Sequence, residues 1–362
     1  MKDIIELYKN IIIQIATPYS TGTGFFLKDQ NLIITNEHVV RDNREVVIYG
    51  SHIEKQMTKI LFTDSKHDLA FLQAPEMHID MPEVKTGLDK IVKQGDSIVA
   101  IGHPFGMEYS ATQGIVSNTT QEENDILYIH HDASLKPGNS GGPLINSDGL
   151  IVGVNTFIIK SGNSVGFSLP VEYLLKTIKA FKEGGDKVGT RCFSCSNLVF
   201  ENETKDEYCP HCGSKIKIPS EIAEYEPISV AKTIEDMLVE MGHQVELARR
   251  GPFHWEIKQG SAKISISYYE KTGLIIGDAY LCNLPQKDIK PLYEFLLRQN
   301  YENEGLTFSV KGHDIVLSLL IYDRYLNKET GIKLINHLFE RADYYDNILV
   351  EEYGATWKQV NF

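Results

Sequence analysis

From Ile11 to about Pro170 the chain is cut into short β-branched and aromatic runs, most of them bounded by Gly, Pro, Asn or Asp. Among these runs are Gly24–Leu27, Leu32–Thr35, Glu45–Tyr49, Leu69–Gln73, Ser97–Ile101, Leu127–His130, Leu150–Phe157 and Gly166–Leu169. Branched and aromatic side chains fit a pleated surface, and the bounding residues turn the chain. Strands this dense, with almost no helical periodicity, predict a closed barrel or a pair of barrels, because closure removes unpaired sheet edges. An amphipathic helix over Val171–Lys182 ends the region, with Leu174, Leu175, Ile178 and Phe181 on one stripe. Gly184-Gly185 then stops it.

The chain has 362 residues, which suggests two or three domains. Charge divides it further: residues 1–180 are net −6, residues 181–220 are neutral, and residues 221–362 are net −7. Beyond Pro219 the pattern changes. A helix near Ile228–Met241 precedes strands at Phe253–Lys258, Lys263–Tyr269 and Leu274–Leu281. A helix at Asp288–Asn300, a hairpin of Leu306–Lys311 with Ile315–Tyr322, and a helix at Glu329–Tyr345 follow. The expected organisation is multidomain: an all-β domain of one barrel or a pair of barrels over 1–183, a small cysteine module over 184–220, and an α+β domain over 221–362.

The net charge of −13 argues against nucleic-acid binding through bulk charge. No apolar run approaches the roughly 20 residues of a membrane helix. The opening MKDIIELYKN has neither an apolar signal core nor a cleavage site, so the sequence predicts a cytoplasmic, reducing location. Four of the five cysteines lie within Cys192–Cys212, and such crowding in that setting favours metal ligation over disulfides.

Three segments carry candidate chemistry: ITNEHVV around His38, KHDLAFL around Asp68, and LKPGNSGGPL around Ser140. A serine hydroxyl becomes a nucleophile when an imidazole takes its proton, and the imidazole needs a carboxylate on its other nitrogen. Order alone discriminates little, because the chain has 12 histidines. The glycines around Ser140 are more specific. Attack on a peptide carbonyl creates an oxyanion that must meet prealigned N–H donors, and the amides of Gly138 and Ser140 are candidates for that role. His103, His130 and His131 are rival bases read as structural, and Gly22 with Gly24 lacks the continuation of a phosphate loop.

These segments, with GTGFFL at 22–27, IGHPFG at 101–106, IVGVNT at 151–156 and VGFSLP at 165–170, resemble the trypsin-like (chymotrypsin-fold) serine peptidases of the HtrA/Deg-like branch. The resemblance covers nearly all of residues 10–170 and implies a bacterial-type serine endopeptidase with its site between two β-barrels. It implies His38 as general base, Asp68 as its orienting acid, Ser140 as nucleophile, and Gly138 with Ser140 as oxyanion hole. A preference for Lys or Arg in that family needs a carboxylate six residues before the nucleophile, where this chain has Ser134. A small or medium apolar side chain is implied instead, with Ser134, Phe167 and Ser168 as substrate-binding residues. Protein or peptide substrates and assembly into homo-oligomers are implied as well.

After residue 180 the chain departs from that family's usual PDZ domains. Cys192-x-x-Cys195 and Cys209-x-x-Cys212, 13 residues apart, resemble a zinc ribbon holding one structural Zn2+ tetrahedrally. A disulfide pair or thioredoxin-like redox chemistry are the rivals, without the βαβ context the latter needs. The last domain resembles the type III secretion chaperone-like or YbjN-like fold, which implies a module that binds a protein client or regulator; a generic α+β domain without a groove is the alternative. Two other functions stay open: a catalytically silent binding or scaffold protein on a protease fold, and a nucleic-acid-associated factor acting through the ribbon.

Overall fold

In a computed structural model the described residues are 2–357, excepting 77–79, 91, 104–108, 124, 162, 205–206 and 260–261. Residues 104–106 of the IGHPFG segment thus lie outside the described residues. The chain forms two compact units, residues 1–225 and 226–361.

The first unit begins with helix α1 (Lys2–Lys9), which the sequence reading did not anticipate. Its Tyr8 is fully buried and donates to the Gly149 carbonyl at 2.9 Å. The first barrel then follows: β1 (Ile12–Ala16), β2 (Thr21–Leu27), β3 (Leu32–Thr35), the single-turn helix α2 (Glu37–Val40), β4 (Glu45–Gly50), β5 (Ile53–Asp64) and β6 (Leu69–Gln73). Its strands run in the order β5-β4-β1-β2-β3-β6, and pairing of β5 with β6 closes the ring. Register decides what β5 hides: Thr58, Ile60, Phe62 and Asp64, two residues apart, are all buried.

The second barrel comprises β7 (Ser97–Gly102), β8 (Ser110–Glu123), β9 (Ile126–His131), β10 (Pro143–Asn146), β11 (Ile151–Ser161) and β12 (Asn163–Pro170). It closes in the order β10-β11-β12-β9-β8-β7. Alternation along β7 sends Ile98 and Ala100 into one apolar cluster, while Val99 and Ile101 join the larger one that includes the first barrel's core. Two closed six-stranded barrels agree with the predicted double barrel. Helix α3 (Val171–Glu183) lays Leu174, Ile178 and Phe181 on the larger cluster, where the Phe181 ring meets Phe62 at 5.4 Å and Phe71 at 5.5 Å. Truncating Phe181 to Ala there costs about 3–5 kcal/mol.

The cysteine segment adds β13 (Gly189–Arg191) and β14 (Leu198–Phe200). β13 runs parallel to β5, with Arg191 opposite Asp64, so this segment extends the first barrel's sheet within the same compact unit.

The second unit contains α4 (Ser229–Glu240), α5 (Val245–Ala248), β15 (His254–Gln259), β16 (Ala262–Tyr269), β17 (Leu274–Asn283), α6 (Ile289–Glu302), β18 (Leu306–Lys311), β19 (Asp314–Tyr322), α7 (Lys328–Glu351) and β20 (Thr356–Trp357). Its sheet has the order β15-β16-β17-β19-β18, with β20 also paired to β17. α7 buries Ile335, Leu338, Ala342, Tyr345 and Leu349, a helical stripe that faces the apolar core of this unit.

Candidate active site

His38 lies on the one-turn helix that follows β3, and Asp68 lies in the turn that enters β6. The antiparallel pairing of β3 with β6 brings these segments together, since Thr35 is opposite Ala70. Asn36 Nδ2 donates to the Asp68 carbonyl at 2.7 Å, tying the two strand ends. The Asp68 carboxylate accepts the His38 backbone N–H at 2.9 Å through one oxygen and meets His38 Nδ1 at 2.7 Å through the other. That second contact favours the tautomer with its proton on Nδ1, leaving Nε2 free to accept one. Burial acts to lower the His38 pKa, but the hydrogen bond and charge of Asp68, with the charge of Glu37, outweigh it and raise the imidazole above its ordinary 6.5.

Ser140 comes from the turn before β10, and main-chain bonds shape that turn. Gly141 N–H donates to the Asn155 carbonyl at 2.8 Å, and Gly142 N–H to the Asn139 carbonyl at 3.1 Å. Thr23 clasps it from the first barrel: its N–H donates to the Ser140 carbonyl at 2.8 Å, and its hydroxyl donates to the Gly138 carbonyl at 2.6 Å. Gly138 has φ +101° and Gly141 φ +86°, conformations open to glycine and strained for other residues. At Gly141 a Cβ would also collide with the Thr23 carbonyl and the Thr35 hydroxyl. Among the described residues, neither the Gly138 nor the Ser140 N–H donates to a protein acceptor.

The Ser140 hydroxyl donates to the Thr156 carbonyl at 3.0 Å. Among the described residues no hydrogen bond joins it to His38. Two of the three predicted side chains are therefore hydrogen-bonded together, and the third is directed elsewhere. The sequence reading did not single out Asn36, Thr23 or Thr156. Thr23, between Gly22 and Gly24, carried the nearest signal, because two glycines flanking a polar residue mark close backbone approach.

Of the predicted substrate-binding residues, Ser134 is exposed. Phe167 is buried, its ring 4.0 Å from that of His130 and edge-on to Tyr128. Ser168 is fully buried, donating to Asn155 Oδ1 at 3.0 Å and lying 3.0 Å from His131 Nε2. Burial pushes the His131 imidazole down to about 4, against an opposing pull from Asp132. His131 is thus a neutral part of the second barrel at ordinary pH.

The four clustered cysteines are free, and their sulfurs all lie within 4.8 Å of one another. Cys192 Sγ is 3.6 Å from Cys212 Sγ, and Cys195 Sγ is 3.7 Å from Cys209 Sγ. These separations far exceed the roughly 2.05 Å of a disulfide. They match the roughly 3.8 Å edge of a tetrahedron with bonds of about 2.3 Å, the distance of thiolate to zinc. Each knuckle is closed by backbone bonds: Ser196 N–H to the Cys192 carbonyl at 2.8 Å, and Gly213 N–H to the Cys209 carbonyl at 2.9 Å. The residues present fit a tetrahedral metal, and four thiol ligands leave no open position for catalysis. Cys282 is a separate, buried cysteine of the second unit.

Residues 22–154 match the trypsin-like peptidase domain. Curated relatives include proteins named "Probable periplasmic serine endoprotease DegP-like" from Hahella chejuensis and Pseudomonas fluorescens, 37% and 36% identical over 172 residues. Each alignment covers 46% of this chain and 36% of the relative, so the chain spans about a third of the length of these relatives. Among solved structures, a serine endoprotease from Yersinia pestis aligns at 25% identity over 52% of this chain and 69% of its own, with a TM-score of 0.46. The HtrA-type protease AlgW with a decapeptide aligns at 22% identity over 52% and 69%, with a TM-score of 0.47.

The predicted cytoplasmic location is overturned, because these relatives are named periplasmic. That expectation rests on the opening MKDIIELYKN, and the relatives' names contradict it. The first unit of this chain contains a trypsin-like peptidase domain whose curated relatives are named DegP-like serine endoproteases.

Proposed function

We propose that the protein is a serine endopeptidase that cleaves proteins or peptides through an acyl-enzyme on Ser140. The observation that carries this reading is the 2.7 Å contact of His38 Nδ1 with Asp68, beside a glycine turn that presents Ser140. The Ser140 hydroxyl leaves the Thr156 carbonyl and attacks the substrate carbonyl carbon, passing its proton to His38 Nε2. The N–H groups of Gly138 and Ser140 receive the oxyanion. His38 then protonates the departing amine, and a water deprotonated by His38 releases the acid and restores Ser140. Asp68 holds the imidazole and balances its charge without taking the proton. Ser134 and Phe167 are the proposed lining of the primary pocket, and Ser168 supports it through His131 and Asn155.

The four-cysteine cluster is proposed to hold structural Zn2+ through Cys192, Cys195, Cys209 and Cys212, which stabilises a segment too small to build a core alone. The second unit is proposed as a chaperone-like/YbjN-like module that recognises a client or regulator. The relatives' names support a periplasmic location.

A fluorophosphonate probe tests the reaction. Labelling at Ser140 that vanishes in Ser140→Ala and is strongly weakened in His38→Ala is the expected result. The Ser140–Thr156 bond favours one second reading, a protease fold that binds without cutting. An unlabelled, well-folded protein across pH 6–9 would replace the first reading with the second.

A further inference from the structure

Asp64 is the last residue of β5, and its side chain has 0% exposure. A buried carboxylate is costly unless donors surround it. Here Arg191 Nε lies at 2.6 Å, His67 Nδ1 at 2.8 Å, the backbone N–H groups of Lys66 and His67 at 3.2 Å, and the Thr177 hydroxyl at 3.5 Å. Burial acts to raise the Asp64 pKa, but the His67 bond and the Arg191 charge hold it below the ordinary value, so it stays ionised. These bonds close the turn from Asp64 to Asp68. Asp68 leaves that turn at φ +52° with its carboxylate on His38.

On the other side, Arg191 is the residue immediately before Cys192. Its guanidinium bridges two segments: Nε on Asp64 and Nη1 on the Ser196 carbonyl at 2.9 Å. Lys66, inside the acid's turn, donates to the Ser196 hydroxyl at 3.1 Å. Ser196 follows Cys195, has φ +61°, and bonds back to Cys192. The first cysteine knuckle is therefore joined at two points to the turn that carries Asp68.

We propose that Arg191 is a positioning residue for the active site, and that a metal held by the four cysteines braces the Asp64–Asp68 turn and thereby the His38–Asp68 contact. Metal binding fixes the knuckle; the knuckle fixes Arg191 and Ser196; these hold Asp64 and Lys66, and the closed turn aims Asp68. Arg suits the task because its planar fork reaches a carboxylate and a carbonyl at once. A lone ammonium serves one of them. The role in catalysis rests on the peptidase reading above, whereas the brace itself does not.

The test uses the full chain, loaded with Zn2+ or stripped by a chelator under reducing conditions, with four released thiols confirming removal. Two readouts are followed: the fluorophosphonate labelling rate, and the His38 imidazole titration by NMR, with Asp68, Glu37 and Arg41 the charges that act on it. Stripping is expected to slow labelling at least 10-fold and to move the His38 midpoint downward, as the Asp68 contact loosens. Arg191→Gln with metal retained is expected to do the same, and Arg191→Lys, which can keep one of the two contacts, to recover only part of the loss. Because Arg191→Gln leaves Asp64 buried without its cation, the Asp64→Asn/Arg191→Gln double variant is measured beside it at equal folded fraction. An unchanged His38 midpoint after stripping, or identical behaviour of the Gln and Lys variants, overturns the brace. A protein that never labels, yet shows the metal-dependent His38 shift, refutes the peptidase reading and keeps the brace.

Discussion

The first barrel brings to the site two side chains, His38 and Asp68, joined at 2.7 Å, whereas the second brings Ser140 on a turn built of main-chain bonds and glycines. Charge and protonation therefore govern the first contribution. Backbone shape governs the second, since Gly138 and Gly141 hold conformations in which a Cβ is strained. The same contrast divides two partly or fully buried histidines. His38, beside Asp68, is raised above 6.5, while His131, deep in the second barrel, falls to about 4. Burial opposes the charged form of both; a hydrogen-bonded carboxylate reverses the outcome at His38.

Breaking the polar half has the largest expected effect. Asp68→Asn keeps the shape but favours the wrong tautomer, and kcat is expected to fall about 10,000-fold, measured on a peptide substrate or by labelling rate. Loss of less than tenfold would mean that His38 does not act through Asp68. On the backbone half, Gly138→Ala adds a Cβ at φ +101° and is expected to displace the N–H proposed as an oxyanion donor. Its kcat is expected to drop about 100–1000-fold with the pH profile unmoved. A shifted profile there would erase the distinction between the halves.

The second barrel's histidine sharpens the comparison through stability. His131 binds a proton near pH 6.5 when unfolded but only near pH 4 when folded, so the unfolded state holds more protons between these values. Stability is therefore full above about pH 6.5 and declines as pH falls toward 4, by about 3 kcal/mol. His131→Gln is expected to flatten this slope in denaturant titrations at pH 7 and 4.5, and an unaltered slope would assign it to other groups. His38 gives a smaller, opposite signature. With His38 as the proposed base, its raised pKa is expected to place the acidic limb of kcat/KM above pH 6.5, because the base must be neutral. Glu37→Gln removes one raising charge and is expected to move that limb downward.

Much of the first unit could be read before any coordinates. Leu32–Thr35 and Leu69–Gln73 form strands over the predicted residues, because each is a run of apolar, largely branched or aromatic residues flanked by polar ones. α1 was missed because KDIIELYK is short, and its Tyr8 finds a partner only at Gly149, far along the chain. β5 was missed because IEKQMTKILFTD mixes charged and apolar residues; its buried positions emerge only from the register with β4 and β6. His38, Asp68 and Ser140 stood out through their neighbours. Thr156, on which the Ser140 hydroxyl rests, looked like an ordinary strand threonine, and at Thr23 only the flanking glycines hinted at its contact with the Ser140 turn.

What the amino-acid order determined by itself was local: where strands start and stop, where glycine permits a turn, and which four thiols stand at ligand spacing. These follow from dihedral preference and short-range spacing, which need no distant partner. Only the tertiary structure decided that Asp64 is buried and matched to Arg191, 127 residues away, and that the Ser140 hydroxyl rests on Thr156. The physical reason is that a polar group's environment is set by whichever segments fold around it. A lone Asp or Arg in a sequence carries no mark of the partner that keeps it charged.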